Sequence, residues 1–312
     1  MPKQQNRRTT IQWVRQRLEQ LLQLSWQTPH NRTVTSGAIV GLCYLPFWLI
    51  DIMVGTLSGA ASLVMVTAIG LGIHLLWTER SSLAPLKAEP EDQWLGHCMI
   101  WAGIILAPFC VFSEWSQKLV WIFILIGMGL STWGIRIFLQ SPLPIALILL
   151  GFFPHPTIVA KAIWSTFMPP QILERLMAWA GTWGLNLIGQ PAKLDRTLIM
   201  LPGGTVNVAW GCSGFDMATI IASASLLLGI FLKQERFKVM LMVSIGIVLA
   251  FLFNVPRIML MATAEAYWGK ASFQFWHGFW GGQIFSTILF TIYYYVVMAI
   301  VKRKSVKLLS SK

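Results

Sequence analysis

Residues 211–236 read GCSGFDMATIIASASLLLGIFLKQER: four small residues, an apolar run, and a charged knot at Lys233-Gln234-Glu235-Arg236. Between Gly214 and Leu232 the only charge is Asp216. At about 1.5 Å per helical residue such a run is long enough to cross roughly 30 Å of hydrocarbon. The stretch is therefore read as a bilayer-spanning helix, and it sets the class of the fold.

The rest of the chain agrees. It is 55% hydrophobic and 12% charged, with a mean hydropathy of +0.63, against roughly 25% charged residues in an average soluble domain. Apolar runs at 35–52, 59–77, 95–112, 119–138, 142–154, 214–232, 238–266 and 279–301 make about eight candidate spans, the fifth being short. The expected fold is an all-α integral membrane protein with both termini on one side. The first thirty residues are basic and lack the apolar core of a cleavable signal peptide, so the first span is expected to act as the insertion signal.

Charge tests the orientation independently. With both termini inside, the outer side holds only Lys118, Lys161, Arg175, Lys193, Arg196, Arg257 and Lys270 of the 24 Lys and Arg residues. Cytoplasmic segments of membrane proteins carry the excess of basic residues, which places both termini in the cytoplasm. The net charge of +12 is then an orientation signal and an attraction for anionic lipid, with no need of a nucleic-acid partner.

Three regions follow: a basic segment 1–33, one multi-pass membrane domain 34–301, and a basic tail 302–312. Ile11, Val14, Leu18, Leu21 and Leu22 recur at helical spacing within 9–26, as in a helix lying on the inner membrane surface. In the long outer segment, Pro169-Pro170 precedes Leu173, Leu176, Met177, Ala180 and Leu187, which predicts an interfacial amphipathic helix ending near Gln190-Pro191. Leu198–Leu201 and Thr205–Trp210 flank Pro202-Gly203-Gly204 and read as a candidate β-hairpin leading into Cys212.

The 214–232 span runs from outside to inside, so Cys212 lies at its outer end. Helix-end amides and the positive pole of the helix favour a thiolate there, predicting a lowered cysteine pKa. Small Ser213 and Gly214 would let a substrate carbonyl approach those amides as oxyanion donors. A buried structural thiol is the plainer reading, and a disulfide with Cys110, near the outer end of its own helix, is another. Arg257, nineteen residues after Lys238, falls near the same outer interface; a charge inside apolar sequence is costly and marks a functional site or an anchor. Asn254 stands one turn before it on the same face, and Pro256 is expected to kink that helix. His277, just before the last span, is also at the outer face, and imidazole is the side chain type suited to shuttling a proton at neutral pH. Asp216 and Glu265 share this side and are read as structural. No metal-ligand cluster, nucleotide loop or redox motif stands out, and no cofactor is expected.

Together, Gly211-Cys212-Ser213-Gly214, Asn254-Val255-Pro256-Arg257-Ile258 and His277-Gly278-Phe279-Trp280-Gly281 with Phe285 resemble the motifs of the exosortase/archaeosortase family, with the cyanoexosortase branch a candidate placement. Gly211 departs from the alanine common there. The likeness lies mainly in 196–300. It implies a membrane cysteine transpeptidase of the bacterial cell membrane, with its site on the outer face. Its partners would be exported proteins bearing a C-terminal sorting signal: a Pro-Glu-Pro-type motif, a transmembrane helix and a basic cluster. Cys212 would be the nucleophile, Arg257 the oxyanion stabiliser and His277 the general acid/base, with Asn254, Ser213 and Gly214 in support. A surface glycan or lipid, or water, would accept the acyl group. The competing readings are a transporter or channel for an anionic substrate built on Arg257, and a scaffold for surface-polymer assembly.

Overall fold

The computed structural model describes Gln23 and residues 25–58, 61–152 and 155–309; the surface helix expected over 9–26 lies almost wholly outside these. The elements in chain order are α1 Pro29–Ser58, α2 Ala61–Thr78, α3 Arg80–Leu83, α4 Pro90–Leu106 with a 3-10 turn at Ala107–Cys110, α5 Glu114–Trp133, α6 Arg136–Gln140, α7 Pro142–Phe152, α8 Pro156–Phe167 and α9 Ile172–Leu187. Strands β1 Lys193–Asp195, β2 Leu198–Leu201 and β3 Gly204–Asn207 follow, then a 3-10 turn at Trp210–Cys212. The chain closes with α10 Phe215–Phe231, α11 Arg236–Thr263 with a π-turn at Ala264–Trp268, α12 Lys270–His277 and α13 Phe279–Leu309.

This is the all-α membrane architecture expected. Among the described residues, four helices are long and apolar enough to span a bilayer: Pro29–Gly55, Pro90–Cys110, Arg236–Trp268 and Phe279–Val301. Ser62–Thr78 and Phe215–Phe231 are apolar but shorter. At about 1.5 Å per residue each reaches about 25 Å, enough to cross with slight thinning of the bilayer.

The chain forms two compact units, one of α1 up to Asp51 with Gly72 through α7, the other of Ile52–Leu71 with α8 to the end of α13. In the first, α4 and α5 meet through glycines: a Cβ on Gly96 would fall 2.5 Å from Ser131 N, and one on Gly127 2.8 Å from Gly96 O. Lipid tails are as apolar as leucine, so helices associate through such close packing and interhelical hydrogen bonds. Lys118 joins Asp51 at 3.4 Å and also Glu114, so a lysine and two acids share the N-terminal end of α5.

The second unit carries Cys212, Asn254, Arg257 and His277 and is built the same way. Along α11, Met242, Gly246, Ala250, Asn254 and Ile258 are buried at every fourth position, one face of a helix. Met240, Val248 and Leu252 on the other faces are exposed and suit lipid. A Cβ on Gly229 of α10 would lie 2.6 Å from Val239 of α11, so these two helices touch at backbone distance. Tyr293 of α13 donates to Ser225 of α10, whose hydroxyl in turn donates to Ile221 O. Every polar group in that chain has a partner, as burial in hydrocarbon demands. Pro256 lies inside α11, which runs on to Thr263.

The segment after Pro169-Pro170 forms the expected helix as α9, Ile172–Leu187. Leu173, Glu174, Met177, Ala178, Gly181, Thr182 and Leu185 are buried, while Leu176, Trp179, Trp183 and Leu187 are exposed. Gly181 and Gly184 seat α9 on Ile258 and Met259 of α11, which draws these smaller residues inward. The hairpin also forms, with Leu201 opposite Gly204. A third strand not expected from sequence, β1, pairs antiparallel with β2. A Cβ on Gly203 would lie 2.1 Å from Ala266 O, so the hairpin turn rests directly on the π-turn backbone. Ile199, Leu201, Val206 and Val208 turn inward and share one apolar cluster with Cys212.

Candidate active site around Cys212

The hairpin delivers the chain into a tight turn whose hydrogen bonds are almost fully used. Cys212 N donates to Ala209 O at 2.9 Å and Ser213 N to Trp210 O at 3.0 Å. The Ser213 hydroxyl donates to Trp210 O at 2.7 Å and accepts from Phe215 N at 3.3 Å. Ser213 is fully buried. Its amide is therefore committed to the turn and is not an oxyanion donor, which corrects the expectation from sequence.

Gly214 follows with φ +81° at the N-cap of α10, a left-handed conformation that costs a side-chain-bearing residue about 1–2 kcal/mol. A Cβ there would also fall 2.9 Å from Asn254 Cγ. Gly214 is thus packed beneath Asn254 and does not leave room for a substrate. The open side is Gly211, which is exposed and whose Cβ would meet nothing within 4 Å.

Asn254 reaches this turn because it belongs to the buried stripe of α11. Its Nδ2 donates to Cys212 O at 2.8 Å, and the residue is 1% exposed. That bond ties the cysteine motif to the asparagine–arginine motif across 42 residues of sequence. One turn on, Arg257 lies at the flank of the stripe. Its Nη2 donates to His277 O at 3.5 Å, and Gly282 would place a Cβ 4.0 Å from the same nitrogen. Among the described residues no carboxylate forms an ion pair with Arg257. Two atoms here are buried without any hydrogen-bond partner: Asn254 Oδ1 and Arg257 Nε.

The Cys212 thiol is 6% exposed, and it lies outside the membrane-spanning part of α10, which begins at Phe215. Burial pushes the thiol above its ordinary value; the positive charge of Arg257 and a backbone hydrogen bond at Ala209 pull the other way but do not win. The lowered value expected from a helix end is corrected for a physical reason: Cys212 precedes the first helical turn and is enclosed by apolar side chains, which disfavour the anion. All four cysteines are free, so the disulfide alternative is not realised.

His277 ends α12 and is exposed. Its ring stacks on Phe273 with centroids 5.3 Å apart, and only its main-chain oxygen meets Arg257. The structure thus brings Cys212, Asn254 and Arg257 together, and joins His277 to them through its backbone. Asp216, exposed in the first turn of α10, has the charges of Lys161 and His155 as its electrostatic neighbours, not Arg257. Glu265 lies in the π-turn that closes α11.

One feature escaped sequence reading. Lys161 of α8 sits over the Trp210 ring at 5.1 Å, and Phe215 packs on Trp210 at 4.7 Å and Trp164 at 5.7 Å. This shelf of indoles and an ammonium includes Trp210, the residue before Gly211 in the Cys212 turn. The tryptophan two residues before Cys212 was its only sequence signal, since α8 is contributed from fifty residues upstream.

The apolar helices define the class as a multi-pass membrane protein, and within it a buried thiol and an arginine lie on one side of Asn254, with His277 joined to the arginine through its backbone. The family model described as transmembrane exosortase matches residues 60–294. The chain therefore belongs to the transmembrane exosortase family, and a membrane transpeptidase-type role follows in general terms. No curated protein matches the chain. No solved structure matches it.

Proposed function

We propose that this chain is a cysteine transpeptidase that removes the C-terminal sorting signal of exported proteins at the outer face of a bacterial cell membrane. The observation that carries the reading is the Asn254–Cys212 hydrogen bond, which ties the thiol's turn to the helix of an arginine that no carboxylate among the described residues neutralises. A substrate held in the bilayer by a hydrophobic tail presents its junction at that same interface. The recognised motif is of the Pro-Glu-Pro type that the family resemblance implies.

In this mechanism Cys212 Sγ attacks the carbonyl carbon at the junction while the Arg257 guanidinium meets the negative charge that develops on the oxygen. The thiol proton passes to the His277 imidazole and from it to the leaving nitrogen. The C–N bond then breaks, releasing the tail with a free amine and leaving a thioester on Cys212. A hydroxyl or amine of a surface glycan or lipid, or water, attacks the thioester, its proton returning to sulfur as the thiol is restored. Because burial favours the neutral thiol, proton removal and attack are coupled, and the His277 ring has to swing from Phe273 toward the thiol.

The test is to co-express a tail-anchored reporter with wild type, Cys212→Ala, Arg257→Ala and His277→Ala and follow reporter size by blotting. Cleavage should stop in Cys212→Ala and fall by about 10²-fold or more in the other two. Undiminished cleavage in Cys212→Ala would sink the proposal; a transporter or scaffold would be indifferent to loss of the thiol.

A further inference from the structure

Asn254 Oδ1 and Arg257 Nε are both buried and unpartnered, one a hydrogen-bond acceptor and the other a donor. Native structures keep few such atoms, and each calls for an explanation. The amide's orientation is fixed from outside: only Nδ2 can donate to Cys212 O, so Oδ1 necessarily faces the other way. The two residues stand three apart on α11, neighbouring positions on a helix surface. Cys212 itself is almost entirely enclosed. Any substrate that reaches its sulfur must part the side chains around it, and that same opening uncovers the two orphan atoms next to it.

An extended peptide presents the complement to both. In extended backbone a residue's N–H and C=O point to the same side, as when paired strand residues exchange both hydrogen bonds. We propose that Asn254 and Arg257 form a two-point reader of the substrate main chain. Asn254 Oδ1 accepts the N–H of the residue whose carbonyl Cys212 attacks, and Arg257 Nε donates to that carbonyl's oxygen. Asn254 is then two-sided: Nδ2 holds the nucleophile's own carbonyl while Oδ1 sets the substrate's register against it. The reader selects an extended backbone bearing an N–H, whatever the side chain at that residue. This inference rests on the acyl-transfer reading above.

The experiment uses the full chain in nanodiscs and a synthetic tail-anchored peptide whose cleavage site has been mapped by mass spectrometry. A second peptide carries an ester oxygen in place of the N–H of the residue whose carbonyl is attacked, leaving the scissile amide intact. Wild type should process the ester analogue about tenfold more slowly, the loss of one hydrogen bond to a buried acceptor. Asn254→Leu should be slow on both peptides and treat them equally. Asn254→Asp keeps an acceptor but loses the donor to Cys212 O, so it should be slow yet retain the preference for the amide. Equal handling of the two peptides by wild type, or a tenfold gap that survives Asn254→Leu, overturns the inference while leaving Cys212-dependent cleavage standing. Cleavage that persists in Cys212→Ala overturns the underlying reading instead. The wild-type comparison needs no variant to fold.

Discussion

At the scale of single residues, the balance of effects on Cys212 carries a pH signature. Burial favours the thiol and the Arg257 charge favours the thiolate, with burial the larger. Removing the charge in Arg257→Met leaves burial less opposed, so the thiol pKa rises further. The prediction is that the rate–pH curve for alkylation of Cys212 by a small iodoacetamide moves to higher pH in that variant, with less reaction at any fixed pH below the plateau. A curve that stays in place or moves down would show that the guanidinium does not act on the sulfur. The identities of Cys212, Asn254, Arg257 and His277 were legible in the sequence, because a charge or thiol near the end of an apolar run stands out against its surroundings. The direction of the thiol's shift was not. It depends on side chains from the hairpin and α11 closing over Cys212, and nothing local in Gly211-Cys212-Ser213-Gly214 announces them. Gly214 was likewise read as open space for substrate, whereas Asn254, 40 residues on, fills it.

At the scale of elements, the β2–β3 hairpin is the part that aims the nucleophile turn. Its tip rests on the π-turn of α11 with no room for a side chain at Gly203, and its far end runs through Val208, hydrogen-bonded to Thr197 O at 2.9 Å, into the Cys212 turn. Gly203→Ala should push the hairpin off Ala266 and shift Cys212 relative to Arg257. Cleavage of the tail-anchored reporter is expected to fall by about 10²-fold, the cost of a misplacement near 1 Å, with the protein still inserted in the membrane at normal level. Normal cleavage in Gly203→Ala would show that the hairpin does not position the site. The hairpin and α9 could be read from sequence because Pro-Gly turns and helical periodicity are local signals. β1 could not: its three residues are all exposed and show no inward–outward alternation. The seat of α9 on α11 was not legible, because Gly181 and Gly184 make it by meeting Ile258 and Met259, and hydrophobic periodicity gives glycine no weight.

At the scale of the whole molecule, the account depends on orientation. On the proposed orientation the basic Lys233–Arg236 knot is inside; Cys212 and Arg257 lie toward the opposite ends of α10 and α11 from that knot. The fold class was legible from composition and run length alone; among the described residues four helices are long and apolar enough to span, while Phe215–Phe231, which starts just after the Cys212 turn, is shorter. Orientation and chemistry are tested together by looking for the acyl group itself. Sealed right-side-out vesicles carrying the protein would be given a tail-anchored peptide from outside, and the Cys212 peptide examined by mass spectrometry. The account predicts an acyl adduct on Cys212 equal to the substrate without its tail, released by hydroxylamine, and absent from Cys212→Ala and from inverted vesicles given the same peptide. Release of the tail with no adduct on Cys212, continuing undiminished in Cys212→Ala, would contradict it.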